Sequence, residues 1–174
     1  KNKLNTLMRL TQRMEDLISS LLHYSRLGRA ELRLASVDLN HLVDGVVELI
    51  AVSKPDEARF EVRKPLPTVE GDHTQINELF TNLITNAIKY NDKEEKIVEI
   101  GYLSAQEAEV EGVLPEPVQK LATDATSSIS GDISIFFVRD NGIGIRDKHK
   151  DAVFRIFKRL HAPTRFGGGT GAGL

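Results

Sequence analysis

The beginning of the chain carries an apolar repeat that constrains the fold more than any other feature. Apolar residues follow a seven-residue repeat there, and others widen the stripe: Leu7, Leu10, Met14, Leu17, Leu21 and Tyr24, with Leu4, Met8, Ile18 and Leu22 beside them. The stretch has no Pro, and its first Gly is Gly28, so residues 1–34 are predicted to form one helix, roughly 45 Å long at ~1.5 Å per residue. A domain of this size cannot cover that length. We therefore predict a partner helix from a second chain, in a four-helix bundle.

The remainder of the chain shows helical and strand patterns in alternation. A second helix is predicted over residues 36–51, with Asp38 at its start. A third is predicted after Asp72, with Gln75 three residues later in the spacing of a capping box. The last predicted strand is apolar enough to be central in a sheet, and the strands cover residues 59–62, 68–69, 97–103 and 133–138. This order predicts an α+β fold, a two-layer α/β sandwich preceded by the long helix.

Composition excludes several functional classes. The chain has no Cys, which removes disulfides, thiolate metal ligands and thiol nucleophiles. Its net charge of −2 argues against a nucleic-acid-binding protein, because such proteins usually carry a basic excess. No apolar run reaches the ~18 residues that a membrane span needs, and the chain begins with Lys1 and no signal peptide. We therefore expect a cytoplasmic chain cut from a longer protein, which is itself either soluble or attached to a membrane.

Charge is distributed unevenly along the chain. Residues 91–132 hold ten acidic and three basic residues, whereas residues 139–174 hold eight basic and three acidic ones together with most of the glycines. A basic, glycine-rich end favours an anionic ligand such as phosphate. Residues 104–131 are rich in Glu, Ser, Thr and Ala and are longer than most connections inside a domain. We predict a solvated insertion there that is at least partly mobile.

The third helix carries polar residues on one face. Reading ~100° per residue places Glu78, Asn82, Asn86 and Lys89 within an ~80° stripe. Apolar residues form the opposite, core-facing stripe: Ile76, Leu79, Phe80, Leu83, Ile84 and Ala87. Asn is a poor helix-interior residue, so two of them four positions apart suggest a function. Their amide oxygens suit Mg²⁺, and Lys89 suits the phosphates that accompany such an ion. The segment alone leaves a surface face with two Asn residues as an equal alternative.

Two glycine-rich segments follow. Residues 140–145, Asp-Asn-Gly-Ile-Gly-Ile, permit a tight turn after a strand, where Asp140 can accept hydrogen bonds from the amino group of a base. Residues 167–173 hold five glycines, which would expose backbone N–H groups to a polyphosphate, and a flexible linker is the alternative. Neither segment matches a dinucleotide fingerprint or a P-loop. Between them, Phe154 and Phe157 could cover an adenine or, more commonly for such residues, fill the core.

Taken in order, these motifs resemble the ATP-binding domain of sensor histidine kinases, which has the Bergerat-type fold of the gyrase, chaperone and mismatch-repair ATPases. Residues 82–90 resemble the N box of that family, and residues 154–157 resemble its F box. Residues 140–145 and 167–174 resemble its two glycine boxes. Residues 158–161, Lys-Arg-Leu-His, and the long insertion further resemble the phytochrome-like kinases.

The resemblance implies a protein-histidine kinase of a two-component signalling system. Residues 1–35 would be the second helix of a dimerisation and phosphotransfer hairpin, and residues 36–174 the ATP-binding catalytic domain, incomplete at its C-terminal end. Such a kinase binds Mg²⁺ and ATP as a homodimer and transfers the γ-phosphate to a histidine. The phosphate then passes to the receiver domain of a response regulator, and a sensor domain upstream in the same chain controls the reaction.

The same resemblance implies roles for individual residues. Asn86 would bind Mg²⁺ with Asn82 beside it, and Lys89 would contact phosphate. Tyr90 would line the adenine pocket, and Asp140 would bind the adenine amino group. The other residues implied in nucleotide binding belong to the pocket wall or to a phosphate loop and lid: Gly142, Gly144, Ile145, Phe157, Arg165, Gly167, Gly169, Thr170, Gly171, Gly173 and Leu174.

The sequence departs from the family pattern at two points. The family's phosphate-accepting histidine has an acidic neighbour and a nearby Pro, and none of the five histidines here has that context. His23 instead resembles a late position of the second hairpin helix, so this chain is expected not to phosphorylate itself. The hydrolases of this fold have a Glu where this chain has Asn82, which favours a kinase over an ATP-hydrolysing relative. A nucleotide-binding dimerisation module without turnover is a further alternative.

Overall fold

The computed structural model describes residues 2–27, 32–53, 57–113 and 133–153. A short 3-10 helix at Asp147–His149 precedes the last of the α-helices, which are α1 (Asn2–Leu27), α2 (Leu39–Ser53), α3 (His73–Lys89), α4 (Ala105–Val110) and α5 (Lys150–Val153). The strands are β1 (Leu34–Asp38), β2 (Arg59–Val62), β3 (Thr68–Asp72), β4 (Ile97–Ser104) and β5 (Ser134–Asp140). None of the helices in these ranges is both long enough and apolar enough to cross a membrane.

The strands form two small sheets. β1 and β3 pair antiparallel, from Leu34 opposite Asp72 to Asp38 opposite Thr68. In the second sheet β4 lies between β2, which is parallel to it, and β5, which is antiparallel. The predicted central position of β5 is therefore wrong for the described part of the sheet, where β5 is an edge strand with a partly exposed surface. Whether a strand is central or at an edge depends on its long-range pairing, and the apolar content of the strand does not predict that pairing.

The core lies between the second sheet and helices α2 and α3. Val98 and Ile100 of β4 and Ile84 of α3 are fully buried in it. α2 has an apolar face with helical spacing in the sequence, and its residues are buried or packed against the core: Leu39, Leu42, Val43, Val46, Val47 and Ile50. Helices on one side and a mixed sheet on the other make the predicted two-layer α/β sandwich.

The packed stripe of α3 is slightly rotated from the predicted one. Phe80, Ile84 and Ala87 are buried as expected, but Leu79 is 55% exposed and Ile88 is buried instead. Successive helix positions differ by ~100°, so a contact centred on positions 80, 84 and 88 turns position 79 towards solvent. The sheet, which the sequence pattern does not show, decides where that contact is centred.

The entry into the sandwich differs from the prediction. Helix was predicted through residue 34 and again from residue 36, whereas α1 ends at Leu27 and β1 occupies Leu34–Asp38. Only Val37 of β1 is buried, so the strand lacks the alternation that would reveal it. Its conformation follows from pairing with β3, and the predicted domain boundary after residue 35 falls inside it.

Asp38 begins α2 as predicted. Its Oδ1 accepts hydrogen bonds from Asn40 N at 2.9 Å and His41 N at 3.4 Å. The Asn40 side chain donates to the same carboxylate at 3.2 Å, and these bonds lower the pKa of Asp38. Asn40 also forms a reciprocal pair with Leu66, donating to Leu66 O at 2.6 Å and accepting from Leu66 N at 2.7 Å. That pair holds the loop before β3 against α2.

The first residues of the predicted insertion fold into α4. Ser104 and Glu107 form a capping box, in which Glu107 N donates to Ser104 Oγ at 3.2 Å and Ser104 N donates to Glu107 Oε2 at 2.7 Å. The bond from Ser104 N is the largest cause of the lowered pKa of Glu107. Ala108 is fully buried, so α4 is packed on the domain. Residues 114–132 lie outside the described residues, and mobility there stays a prediction.

α1 keeps its apolar stripe exposed. Leu7, Met8 and Met14 are 60%, 65% and 62% exposed, and other stripe residues are more than half exposed as well: Leu4, Ile18, Leu21 and Leu22. Water contact at so many large apolar side chains on one helix is unfavourable, and exposed apolar surface of this kind is typical of interaction sites.

The core assignment predicts unequal effects of two truncations to alanine. Ile84→Ala removes fully buried apolar volume and is expected to lower the free energy of unfolding by about 3 kcal/mol. Val52→Ala, at an 83% exposed site of α2, should change it by less than about 0.5 kcal/mol. Urea unfolding followed by circular dichroism measures both, and equal effects would contradict the assignment.

Candidate functional site

The polar stripe of α3 is not a simple surface face. Glu78, Asn82, Asn86 and Lys89 are all only partly exposed, and α3 lies beside β5. The opposite side of the helix is fixed in the core by Phe80 and other apolar residues. The packing therefore fixes the orientation of the stripe, whose polar side chains are partly accessible to a ligand.

The C-terminal end of α3 is joined to the glycine turn that follows β5. Tyr90 N donates to Asn86 O at 2.9 Å and ends the helix, and Tyr90 O accepts from Ile143 N at 3.1 Å. Lys89 Nζ lies 5.3 Å from the centre of the Tyr90 ring, within the range of a cation–π contact. Residues far apart in sequence, Lys89 and Tyr90 on one side and residues 140–145 on the other, thus form one site.

Gly142 is required where the turn meets the helix. A Cβ at this position would lie 2.6 Å from Tyr90 O and 2.7 Å from Asp140 Oδ1, which is closer than such atoms approach. Gly142 N donates to Asp140 Oδ1 at 2.8 Å, which closes the turn on the Asp140 carboxylate. Gly144 has φ +66°, in the left-handed region that glycine adopts most easily.

A pair of asparagines, Asn91 and Asn141, holds the turn closed, and sequence reasoning did not identify it. Asn91 is 4% exposed, and its Nδ2 donates to Asn141 Oδ1 at 2.7 Å. Asn141 Oδ1 also accepts from Ile97 N at 2.9 Å, and its Nδ2 donates to Glu95 O at 3.0 Å. Asn91 Oδ1 accepts from Lys93 N at 3.0 Å. Asn is common in turns, so neither residue stands out in the sequence; only the pairing across fifty positions reveals the role.

The described site contains part of the predicted set. Tyr90 contacts the turn that carries Asp140, Gly142 and Gly144, and Lys89 lies beside the Tyr90 ring. Asn82 and Asn86 lie on the partly exposed stripe of the same helix. Ile145 follows the turn and is 48% exposed. The remaining predicted residues lie outside the described residues: Phe157, Arg165, Gly167, Gly169, Thr170, Gly171, Gly173 and Leu174.

The site is separate from a shallow groove of about 290 Å³ on the other side of α2. The groove lies between α2 and the loop after β2, and its two basic residues are already paired. Arg63 binds Glu99, and Lys64 Nζ lies 3.3 Å from Glu107 Oε2 and 4.2 Å from the centre of the Tyr102 ring. We assign the candidate site to the polar end of α3 and the turn at residues 140–145, because polar groups converge there.

The close approach at Gly142 makes a testable prediction. Gly142→Ala must displace the turn from Tyr90 or the Asp140 side chain, and it is expected to lower the free energy of unfolding by about 1–3 kcal/mol. Gly45→Ala is the matched control, because nothing lies within 4 Å of a Cβ there and alanine favours helix α2 by about 0.5–1 kcal/mol. Urea unfolding of both variants should give opposite signs; equal losses would contradict the turn geometry.

Comparison with known proteins identifies the family. The family model described as histidine kinase-, DNA gyrase B-, and HSP90-like ATPase matches residues 71–174, which include α3 and the glycine turn. Cyanobacterial phytochrome B of Nostoc sp. is 49% identical over 176 residues, 100% of this chain and 20% of the relative. Signal transduction histidine-protein kinase BarA of Escherichia coli is 30% identical over 181 residues, 100% of this chain and 17% of the relative.

A solved structure agrees with these matches. The crystal structure of full-length ShkA in complex with AMPPNP has a TM-score of 0.59 and 25% sequence identity, and the match covers 99% of this chain and 31% of that chain. The present chain thus spans about a fifth of the length of the curated relatives and a third of ShkA. Because the family model covers more than half of the sequence, the chain belongs to the family of histidine kinase-, DNA gyrase B- and HSP90-like ATPases.

Proposed function

We propose that this chain is the ATP-binding catalytic part of a two-component sensor histidine kinase, preceded by the second helix of a dimerisation hairpin. It binds Mg²⁺ and ATP and supplies the γ-phosphate to a histidine elsewhere in the parent protein. The observation that carries the proposal is the junction of Tyr90 O with Ile143 N, which brings the polar end of α3 and the Asp140 turn into one site.

The site offers groups that suit a purine and groups that suit a phosphate. Asp140 Oδ1 is engaged by Gly142 N, and within the described residues Oδ2 accepts no hydrogen bond, so it can accept from an adenine amino group. Gly142 lies against Tyr90 O and the Asp140 carboxylate and has no side chain there that would obstruct a ligand. Lys89, near the Tyr90 ring, supplies positive charge for phosphate.

The donor set of α3 fits Mg²⁺. Asn82 and Asn86 are one helical turn apart on the partly exposed stripe, and amide oxygens are hard ligands that Mg²⁺ accepts together with water and phosphate oxygens. Such an ion would neutralise phosphate charge. No group of three His, Asp or Glu side chains that could hold a metal occurs among the described residues, so the amide pair is the candidate there.

The relatives support a kinase rather than a hydrolase. BarA is named as a histidine-protein kinase, and the ShkA structure holds AMPPNP, a non-hydrolysable ATP analogue. Asn82 cannot act as a general base for water, which argues against an ATP-hydrolysing relative. A nucleotide-binding dimerisation module without turnover is the second candidate, because the exposed stripe of α1 and the nucleotide site would serve it equally well.

Partners follow from the same proposal. The exposed apolar stripe of α1 fits a second copy of this chain in a helical bundle. A sensor domain in the parent protein would control the reaction, and the similarity to a cyanobacterial phytochrome favours a phytochrome-like one. The receiver domain of a response regulator would accept the phosphate.

Calorimetric titration of ATP tests the site. Wild type with Mg²⁺ is expected to bind in the micromolar to sub-millimolar range, and Asp140→Ala to lose binding. Asn86→Ala should bind with the weaker affinity that wild type shows in EDTA, because it has lost the proposed Mg²⁺ ligand. Asn77→Ala on the exposed side of α3 and Asp44→Ala on α2 are matched controls that should bind like wild type.

Two results would contradict the assignment. Wild type that is folded by circular dichroism but gives no heat with ATP would reject nucleotide binding by this chain. If Asn86→Ala weakened ATP binding by the same factor with and without Mg²⁺, the metal role of Asn86 would be rejected, and nucleotide binding would still stand.

A charge on the α1 stripe tests dimerisation. Met14→Glu introduces a carboxylate at a 62% exposed stripe position, which a helix bundle would bury, so the dimer should dissociate. Gln12→Glu lies on the opposite side of α1 and should leave the dimer intact. Light scattering coupled to size-exclusion chromatography gives the mass of each variant, and a monomeric wild type would contradict the prediction.

A further inference from the structure

The carboxylate of Asp72 binds two separate parts of the chain. Its Oδ1 accepts hydrogen bonds from Thr74 N at 3.0 Å and Gln75 N at 3.2 Å and so caps α3. Its Oδ2 accepts from Arg33 N at 3.0 Å, from a residue 39 positions earlier. One oxygen is sufficient for an N-cap, so the second bond is an additional feature that capping does not explain.

Arg33 belongs to the linker between α1 and the sandwich. β1 begins at the next residue, and Leu34 is the partner of Asp72 in the β1–β3 pairing. The backbone at Arg33 and Leu34 therefore lies directly beside the start of α3. The bond from Arg33 N is the largest cause of the lowered pKa of Asp72, followed by the bond from Gln75 N. The carboxylate is thus charged at neutral pH, when charge-assisted bonds to backbone N–H groups are strongest.

The turn from β3 into α3 leaves little room to absorb a movement. A Cβ on Gly71 would lie 2.6 Å from Ile76 Cδ1, so the first turn of α3 packs directly on the strand backbone. Farther along, Phe80 and Ile84 fix the helix in the core. A helix packed in this way moves as one body, because close-packed interfaces do not deform continuously. A displacement at Arg33 therefore reaches the nucleotide end of α3, about 25 Å away at ~1.5 Å per residue.

We propose that Asp72 is a positioning residue that couples the linker after α1 to the nucleotide-binding end of α3. The proposal rests on the proposed function, which gives α3 its nucleotide. With both oxygens engaged, the linker restricts the orientation of the ATP-binding domain relative to α1, and the nucleotide meets the acceptor histidine in fewer, more productive orientations. Loss of the Arg33 bond widens that set of orientations. It lowers the rate of phosphotransfer and leaves ATP affinity unchanged.

Two variants remove the bond from opposite sides. Asp72→Asn keeps an oxygen for the helix cap, where Asn is as effective as Asp, but its amide nitrogen cannot accept from Arg33 N. Arg33→Pro removes the donor N–H and leaves Asp72 and its cap intact. Asp38→Asn is the matched control, because Asp38 caps α2 through Oδ1 and makes no bond to the linker among the described residues.

The measurement is autophosphorylation of the full-length protein with labelled ATP over a range of concentrations, together with thermal unfolding. Asp72→Asn and Arg33→Pro are each expected to lower kcat about fivefold or more, with KM for ATP unchanged and with a loss of Tm no larger than that of Asp38→Asn. Asp38→Asn should keep the kcat of wild type. If Asp72 acted only as a helix cap, Asp72→Asn and Asp38→Asn would change Tm and kcat to the same extent. A lower kcat with constant KM in Asp72→Asn but not in Asp38→Asn therefore indicates coupling.

Three results would overturn the coupling. If Asp72→Asn has the same kcat as Asp38→Asn, the bond from Arg33 N to Asp72 does not affect phosphotransfer. A joint loss of kcat, ATP affinity and Tm shows that Asp72 only stabilises α3. If wild type binds ATP and phosphorylates itself, either of these two results rejects the coupling alone. If wild type binds no ATP, the proposed function is rejected, and the coupling with it.

Discussion

The site depends on the way in which α3 is held by one face. Ile84 is fully buried with Val98 and Ile100 of β4, and each such side chain contributes roughly 1.5–3 kcal/mol of burial free energy. The two Asn residues on the other face cost at most about 0.7 kcal/mol each in helix propensity. Packing therefore outweighs propensity by a wide margin. The helix can present amide groups to a ligand because its stability comes from the side that the ligand does not reach.

The second element of the site, the glycine turn, is held by hydrogen bonds around the buried Asn91 rather than by apolar packing. Asn91 and Asn141 satisfy each other and three backbone groups, and Tyr90 O binds Ile143 N. A buried polar group without a partner costs about 1–3 kcal/mol, so opening the turn without water entering would be unfavourable. The turn is therefore preorganised before a ligand arrives, and the proposed nucleotide would meet an ordered backbone. Preorganisation reduces the ordering cost of binding.

Carboxylates at helix starts connect the sandwich to what precedes and follows it. Asp38, Asp72 and Glu107 each accept backbone N–H bonds, and those bonds lower their pKa values below the ordinary 3.8 for Asp and 4.5 for Glu. A lowered pKa in the folded state means that the stabilisation is present above the ordinary values and is lost as pH falls through the lowered ones. At neutral pH all three caps are intact. Among them, Asp72 also holds the linker from α1, which makes the start of α3 a junction as well as a cap.

The sequence by itself determined the elements whose signals are local. The 3.6-residue period of α2 and α3, the caps at Asp38 and Asp72, strands β2 and β4 and the order of the motifs were all legible, because propensity, capping and turn chemistry act over a few residues. Tertiary structure decided what depends on distant partners. It made β1 a strand through pairing with β3, left β5 at an edge of the described sheet, turned Leu79 outwards and joined Asn91 to Asn141. Each of these outcomes follows from a contact between residues far apart in the chain, and no local pattern encodes such a contact.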